Sequence, residues 1–396
     1  VTPSLVKYTM GSMEDSGRTV GRLEAFNTVG SIIGTFLPTF VTIPTVGTSV
    51  TFLIFSGVLL ILGIVYFIAE GTRRWLCAGS AAALIVCSVL GHSDSFAFWE
   101  TNLLYEGESI YNYLQVGENE RSVYLSTNVL FGVQSVAMKD GGLTGMYYDT
   151  ALAAPLMCAD PEEPDILVLG MGSGTFSTLC GKYYPGSDVS GVEIDEDITR
   201  LAHEYFGLPD TVRVTTYDGR AYLAADKGKY DVIMVDAYQD ITIPFQMSSK
   251  EFFTLVKEHL KPDGVMVVNM NMRGGGEGNI NQYLSDTIST VFPEVFTVDV
   301  TNSSNRVLFA SDNAKMTQVF DNNLARVTDT SLYSVMYGVK TNYEKYSPTG
   351  KYILTDDKAP VELLGMKVVD RMISDELSYY KEIFKKEGLK GLLSSF

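Results

Sequence analysis

Between Asp165 and Asp240, four apolar runs alternate with stretches of helical spacing, and each run ends against a polar or acidic residue. The first, Asp165-Ile-Leu-Val-Leu, breaks into Gly170-Met-Gly172-Ser-Gly174. The second, Asp188-Val-Ser-Gly-Val-Glu193, closes on an acid. The third, Thr211 to Tyr217, runs into Asp218-Gly219, and the fourth, Tyr230 to Val235, meets Asp236. Strands that alternate with helices in this way predict a doubly wound parallel α/β sheet. Ligands of such sheets sit outside the carboxyl ends of the strands.

The glycines have a physical role at the first of these ends. Lacking a Cβ, they let the chain turn tightly from strand to helix and allow a ligand to lie against the backbone. Glu193 stands at the distance where an acid on the second strand meets ribose hydroxyls. A plain tight turn is the competing reading of the glycines alone. The additional acids Asp218 and Asp236, both at strand ends, favour a nucleoside-type site.

Composition narrows the chemistry. A chain of 396 residues has room for two or three domains. Its formal charge of −17 argues against a nucleic-acid partner, which calls for clustered Lys and Arg, and suits small cations such as polyamines. The four cysteines, Cys77, Cys87, Cys158 and Cys180, show no CxxC spacing, so neither a disulfide framework nor a zinc site is indicated. Three histidines, His92, His203 and His259, leave little for a Ser-His-Asp or His-metal mechanism. His203 and His259 fall among charges on predicted helices and are expected on solvated faces. Any catalysis then falls to carboxylates, and no metal ligand set is assigned.

Residues 1–95 read as a transmembrane helical region. Three apolar segments, near Phe26–Ile43, Val50–Ala69 and Trp75–Gly91, approach the ~20 residues that span a bilayer. The third is rich in small residues, which suits packing against other membrane helices. The chain begins with Val1 rather than Met, so further helices are expected upstream. Lys7, Arg18, Arg22 and the Arg73-Arg74 turn place the N-terminus and that turn in the cytoplasm by the positive-inside rule, sending the third segment outward. A nucleotide-type ligand requires the soluble part inside. Either the third segment is not a full span, or upstream helices override the count, or the domain faces out; the expectation is an integral protein of the inner (plasma) membrane whose soluble domain is cytoplasmic.

Residues 96–160 form a small antiparallel β unit, with alternating runs at Ile110–Val116, Ser122–Ser126 and Val129–Val136. Tyr147-Tyr148-Asp149 then open a helix through Leu156, ordinary aromatic packing being the plain reading of the pair. Residues 161–372 make up the sheet domain. Ser248-Ser-Lys-Glu251 is a capping-box pattern that opens a helix over Phe252–Leu260. Gly264–Met270 reads as the fifth strand, Arg273–Gly278 as a flexible glycine-rich connection, and Val291–Val300 and Arg306–Ala310 as closing antiparallel strands. Leu354 to Glu362 is a compact acidic turn. Residues 373–396 read as an amphipathic helix with a solvated charged face rather than a membrane anchor.

The residues resemble the spermidine synthase (polyamine aminopropyltransferase) family in its membrane-fused bacterial form. The resemblance covers roughly Glu108 to Met372. It rests on Ser109-Ile-Tyr-Asn-Tyr-Leu-Gln-Val116, Gly170–Thr175, Val192-Glu-Ile-Asp195, Asp218-Gly219, Val235-Asp236 and Ser249-Lys-Glu-Phe-Phe253. Gly21–Thr35 is similar to the end of the helical region such fusions carry. The resemblance implies a Rossmann-like, methyltransferase-type sheet. Gly170, Gly172, Ser173, Gly174, Glu193, Asp218, Gly219 and Asn112 would surround a sulfonium nucleoside. Tyr147, Tyr148 and Asp240 would line the acceptor site, and Asp236 would act as base. The implied co-substrate is decarboxylated S-adenosylmethionine or S-adenosylmethionine itself, with no permanently bound cofactor. The implied partners are a polyamine and membrane lipid, and a homodimer is among the assemblies allowed.

The departures from the family pattern bear on the donor. Ser173 stands where the family carries an Asp that grips the amino group of the decarboxylated nucleoside. Gln239 replaces a second Asp, with Asp240 one place on. Asn112 replaces a Gln, and Tyr148 a Gln or His. Loss of the acid at Ser173 removes a charge that would repel the carboxylate of intact S-adenosylmethionine. A methyltransferase therefore stands as the alternative enzyme, and a non-catalytic nucleoside- or polyamine-sensing membrane protein as the alternative outside catalysis. A nicotinamide-dependent dehydrogenase ranks last, because Thr175 replaces the third glycine of that fingerprint.

Overall fold

The computed structural model describes residues 16–69, 74–90, 102–127, 133–237, 243–271, 276–301 and 303–394. The chain divides into two compact units: Val1–Trp99 with Glu106–Asn112, and Glu100–Tyr105 with Tyr113–Phe396.

In the first unit, helix α1 (Ser16–Leu37) passes through a π turn at Pro38–Thr42 into α2 (Ile43–Ala69). The two apolar segments expected there are thus parts of one rod, broken at Gly47, whose φ of 78° is open to glycine. The hydroxyls of Thr28, Thr35, Thr39, Thr45 and Thr51 donate back to carbonyls four residues earlier, which hides polar groups on an apolar rod. The stretch Gly17–Ile68 is long and apolar enough to cross a membrane, and 6% of its most apolar window is buried. The third segment forms α3 (Arg74–Leu90), whose 17 residues sit at the short limit for a span.

A four-stranded sheet follows, made of β1 (Leu103–Glu108), β2 (Tyr113–Glu118), β3 (Ser122–Ser126) and β4 (Ser135–Met138) in that order. Leu114, Val116 and Leu125 pack on Ile198, Leu201 and Phe206, joining this sheet to the helix Glu196–Tyr205. The expected strand from Ile110 begins only at Tyr113, because the Ser109 hydroxyl accepts the N–H groups of Tyr111 and Asn112 and folds a turn there. The expected run from Val129 is strand only from Ser135, and its first residues lie outside the described ones.

The larger sheet of the second unit has eight strands. Strands β5 (Asp165–Leu169), β6 (Asp188–Glu193), β7 (Arg213–Thr216), β8 (Tyr230–Val235) and β9 (Leu260–Met270) run parallel. Two further strands, β10 (Glu294–Asp299) and β11 (Arg306–Ser311), pair antiparallel with each other, and β11 pairs antiparallel with β9. The short β12 (Glu344–Lys345) closes the edge against β10. The resulting order is β12-β10-β11-β9-β8-β5-β6-β7. Alternate residues enter different cores, as the two-residue strand period requires. Ile166, Val168, Val232 and Met234 face one, and Leu167, Leu169, Ile233 and Val235 the other. Both faces are therefore apolar, and each buried aliphatic side chain contributes about 1.5–3 kcal/mol. Strand order reverses between β5 and β8, so the crevice at a doubly wound sheet's switch point lies at their carboxyl ends.

Three further expectations are corrected. The cap of the helix Lys250–His259 is Ser249, which accepts the Phe252 N–H, rather than Ser248; the Glu251 carboxylate takes the Asp356 N–H instead of closing a box. His259 is not on a solvated face: it is 9% exposed, with its ring nitrogens against the Leu255 and Asp226 carbonyls. The C-terminal helix starts at Val361 rather than near residue 374 and runs to Ser394 with a non-helical break at Gly388. Its first turn docks Val361 and Leu364 into the core, which the charged half alone does not reveal.

Candidate active site

Strand β5 ends in three glycines with left-handed φ, Gly170, Gly172 and Gly174. At Gly170 the requirement is also steric: a Cβ would lie 2.5 Å from the Cα of Ala237. Only a bare backbone lets the ends of β5 and β8 approach this closely, and the Asp236 N–H completes the contact on the Leu169 carbonyl at 2.9 Å. The glycine turn is thereby held directly beside Asp236.

Glu193, at the end of β6, is 6% exposed. Its Oε2 accepts the Gly172 N–H at 2.8 Å and its Oε1 the Asp195 N–H at 3.1 Å. Burial pushes its carboxyl up, the Asp195 charge adds to the rise, and the backbone donors of Gly172, Asp195 and Ile194 oppose it. The carboxylate keeps acceptor capacity for a ligand hydroxyl. Asp218 caps the helix Gly219–Ala225 by accepting the Ala221 N–H at 2.8 Å with Oδ1. Gly219 lies against the thioether of Met247.

Asp236 is enclosed on most sides yet still touched by solvent. Tyr147 donates its hydroxyl to Oδ2 at 2.5 Å, across 89 residues of sequence, and the Asn269 amide donates to Oδ1 at 2.9 Å. Desolvation pushes the Asp236 pKa up to about 7; the Tyr147 and Asn269 donors pull it down, and the Glu193 charge adds to the rise. Tyr147 is held well above its ordinary value by burial and by the Asp236 charge, so it remains a donor at neutral pH. A carboxylate poised near neutrality with a fixed donor on each oxygen can accept a proton from an amine brought against its open side.

Of the residues singled out in the sequence, Gly170, Gly172, Glu193, Tyr147 and Asp236 are linked by these contacts. Tyr148 packs on Tyr147 with ring centroids 4.1 Å apart and donates its hydroxyl to the Gln134 carbonyl. It supports the Tyr147 ring and is itself 3% exposed. Ser173 is 1% exposed, its hydroxyl 3.0 Å from that of Thr175, which donates to the Val136 carbonyl. Its side chain is thus taken up by the packing of the glycine turn on β4. Asn112 belongs to the first compact unit, where its carbonyl accepts the Ser109 N–H. Asp240 and Gln239 lie outside the described residues.

Residues 146–320 match the spermine/spermidine synthase domain. A probable polyamine aminopropyl transferase of Bifidobacterium longum is 53% identical over 346 residues, covering 83% of this chain and 77% of that protein. The chain belongs to the spermidine synthase family. A polyamine aminopropyltransferase of Vibrio vulnificus is 29% identical over 237 residues, covering 57% of this chain and 76% of that one. A probable spermidine synthase from Corynebacterium glutamicum superposes with a TM-score of 0.47 at 19% identity, over 62% of this chain and 98% of that chain.

As a member of the spermidine synthase family the chain is a transferase. Two groups of contacts in the sheet domain leave no pattern in the sequence. Asn269 touches Asp236 from β9, and Asn305, in the turn before β11, touches Asn269; neither forms a local pattern. Arg220 makes paired 2.7 Å contacts with Asp356 across 136 residues, and Ser249 donates to the same carboxylate. The acidic turn is visible in the sequence; its basic partner is not.

Proposed function

We propose that this chain transfers an aminopropyl group from decarboxylated S-adenosylmethionine to a polyamine, with Asp236 as the base. The observation that carries the reading is the Tyr147–Asp236 contact: a carboxylate with a pKa of about 7 lies beside the glycine turn and Glu193. In this reading Gly170, Gly172 and Gly174 lie along the nucleoside, Glu193 takes its ribose hydroxyls and Asp218 its adenine amine. Tyr147, backed by Tyr148, shapes the acceptor side together with Asp240.

The reaction needs little covalent help. The acceptor nitrogen attacks the propyl carbon bonded to the sulfonium, a C–N bond forms, and the C–S electron pair returns to sulfur as methylthioadenosine leaves. A free amine has its pKa near that of lysine, ~10.4, so it arrives as ammonium and must lose a proton before attack. Asp236 holds that ammonium and receives the proton, and alignment by the site supplies much of the remaining acceleration. The acidic chain, at −17, favours approach of polycations. The apolar rod Gly17–Ile68 supports placement in a membrane, and the nucleoside chemistry favours a cytoplasmic sheet domain.

The test is to incubate the purified full chain with decarboxylated S-adenosylmethionine and putrescine or spermidine and to follow methylthioadenosine. Release dependent on the added polyamine is expected. No release with any polyamine, together with tighter calorimetric binding of intact S-adenosylmethionine, would transfer the assignment to methyl transfer.

A further inference from the structure

The Asp236 carboxylate stands at one end of a hydrogen-bonded row that reaches the turn between β10 and β11. The Asn305 backbone N–H donates to the Ser303 hydroxyl oxygen at 3.1 Å. The Ser303 hydroxyl donates to Asn305 Oδ1 at 2.6 Å, Asn305 Nδ2 donates to Asn269 Oδ1 at 2.8 Å, and Asn269 Nδ2 donates to Asp236 Oδ1 at 2.9 Å. Each side-chain amide in this row has two ends of opposite polarity and nearly equal shape. The backbone N–H is the one group in the row whose polarity is fixed covalently. Ser303 accepts that N–H on one lone pair and spends its single O–H on Asn305 Oδ1, which leaves the Asn305 Nδ2 for Asn269 Oδ1 and the Asn269 Nδ2 for Asp236.

We propose that Asn305 is a positioning residue that, with Ser303, fixes the Asn269 amide so that it presents N–H rather than carbonyl oxygen to Asp236. A reversed Asn269 would place an oxygen against Oδ1 and penalise the ionised form that a base requires. Among the described residues, the groups facing Asp236 are otherwise Tyr147 and Tyr148 from the helix Tyr147–Ala151 and Glu193 from β6. Both tyrosines stay protonated at neutral pH, their pKa values held above the ordinary range. The amide row thus lies on the opposite oxygen from Tyr147, leaving each oxygen one lone pair for an incoming ammonium.

This inference rests on Asp236 being the base of the proposed reaction, and the experiment separates the two. The full chain carrying 13C-labelled aspartate carboxyls is titrated in the wild type and in Asn305→Ala, Asn305→Asp and Ser303→Ala, with the Asp236 signal assigned by its loss in Asp236→Asn. In parallel kcat/KM is measured against pH, and thermal melting is recorded for each variant. Loss of one charge-assisted donor corresponds to about a tenfold change in the ionisation equilibrium. Asn305→Asp, which reverses the row, is expected to move the Asp236 titration upward most, and Asn305→Ala and Ser303→Ala less. The same order should appear as lost kcat/KM on the acidic side of neutrality, about tenfold for Asn305→Ala, with little loss above about pH 8. An unchanged Asp236 titration in variants that merely melt earlier overturns the proposal. A shifted titration in a protein with no transferase activity would retain the row and sink the assigned reaction.

Discussion

Asp236 and Asp286 are two acids of the same compact unit with opposite fates. Asp286 has no exposed surface and collects the Tyr346 hydroxyl at 2.8 Å, the Thr349 N–H at 2.9 Å, the Thr349 hydroxyl at 2.5 Å and the Tyr352 N–H at 3.2 Å. Burial pulls its pKa up, but those donors outweigh it and leave it below the ordinary range. Asp236 has two side-chain donors, one on each oxygen, and there burial wins. At Asp286 the donors outweigh burial, whereas at Asp236 burial outweighs the two donors, and this separates a rivet from a base. Asp286 fastens residues 346–352 to the helix Ile280–Ser289, while Asp236 is left with unspent acceptor capacity beside the glycine turn.

Exchanging the charge for an amide should separate these roles. Asp236→Asn is expected to lower methylthioadenosine formation about a thousandfold, the middle of the range for removal of a general base. Near-normal turnover would show that Asp236 is not the base. Asp286→Asn is expected to leave the pH–rate profile in place and to cost about 3 kcal/mol of stability, because an amide nitrogen meets donors that require an acceptor. Chemical denaturation of the two variants measures this, and equal stability losses would erase the contrast.

The pH dependence of stability supplies a smaller effect of opposite sign. The folded Asp236 pKa, about 7, lies above the usual carboxylate value, so the folded chain binds more protons than the unfolded one between about pH 4 and 7. Its contribution is fully present below the unfolded value and is lost as pH rises through the folded one. Asp286 behaves conversely: its contribution is present above the unfolded value and lost as pH falls through the lowered one. The stability of Asp236→Asn relative to wild type should therefore improve between about pH 5 and pH 8, by about 1–2 kcal/mol once the solvent contact of Asp236 is discounted. A relative stability that stays flat across that interval would mean that Asp236 titrates as an ordinary carboxylate.

What is legible in the sequence follows the same division. The four strands and the polar residues at their ends are local patterns, and the structure sets Gly170, Glu193 and Asp236 at adjoining strand ends as that pattern requires. The pairing of Tyr147 with Asp236 is reachable only through the family resemblance, since 89 residues separate them. Asn269 reads as one residue of an apolar strand, and nothing near it marks the amide as facing an acid. Asp286 sits among Ile280, Leu284 and Ile288, whose spacing signals a helix capped by Asn279, but its four contacts come from 60 to 66 residues downstream. His259 defeats the expectation of a wet face because its charged neighbours say where the helix meets water, not where it turns under the Asp226 carbonyl. Periodicity reports which face is buried; it carries no information about which distant polar group fills the remaining hydrogen bonds.

Asp356 gives the mildest test, because it resembles Asp286 in direction and differs in cause. Its pKa is lowered first by the Arg220 guanidinium, with burial opposing and the Ser249 hydroxyl assisting. The pair is bidentate, at 2.7 Å on both arms, but the side chains are 26% and 43% exposed, so water and salt compete with it. Asp356→Asn should therefore cost only about 1 kcal/mol, and the cost should shrink as salt rises from about 0.05 to 0.5 M, roughly where the screening length falls below 10 Å. The Asp286→Asn loss, built on neutral donors away from solvent, should hardly respond to salt. If both losses respond alike, then charge rather than donor count is what holds these segments to the sheet domain, and the distinction between Asp236 and Asp286 must be sought in the field of Arg220 and its neighbours.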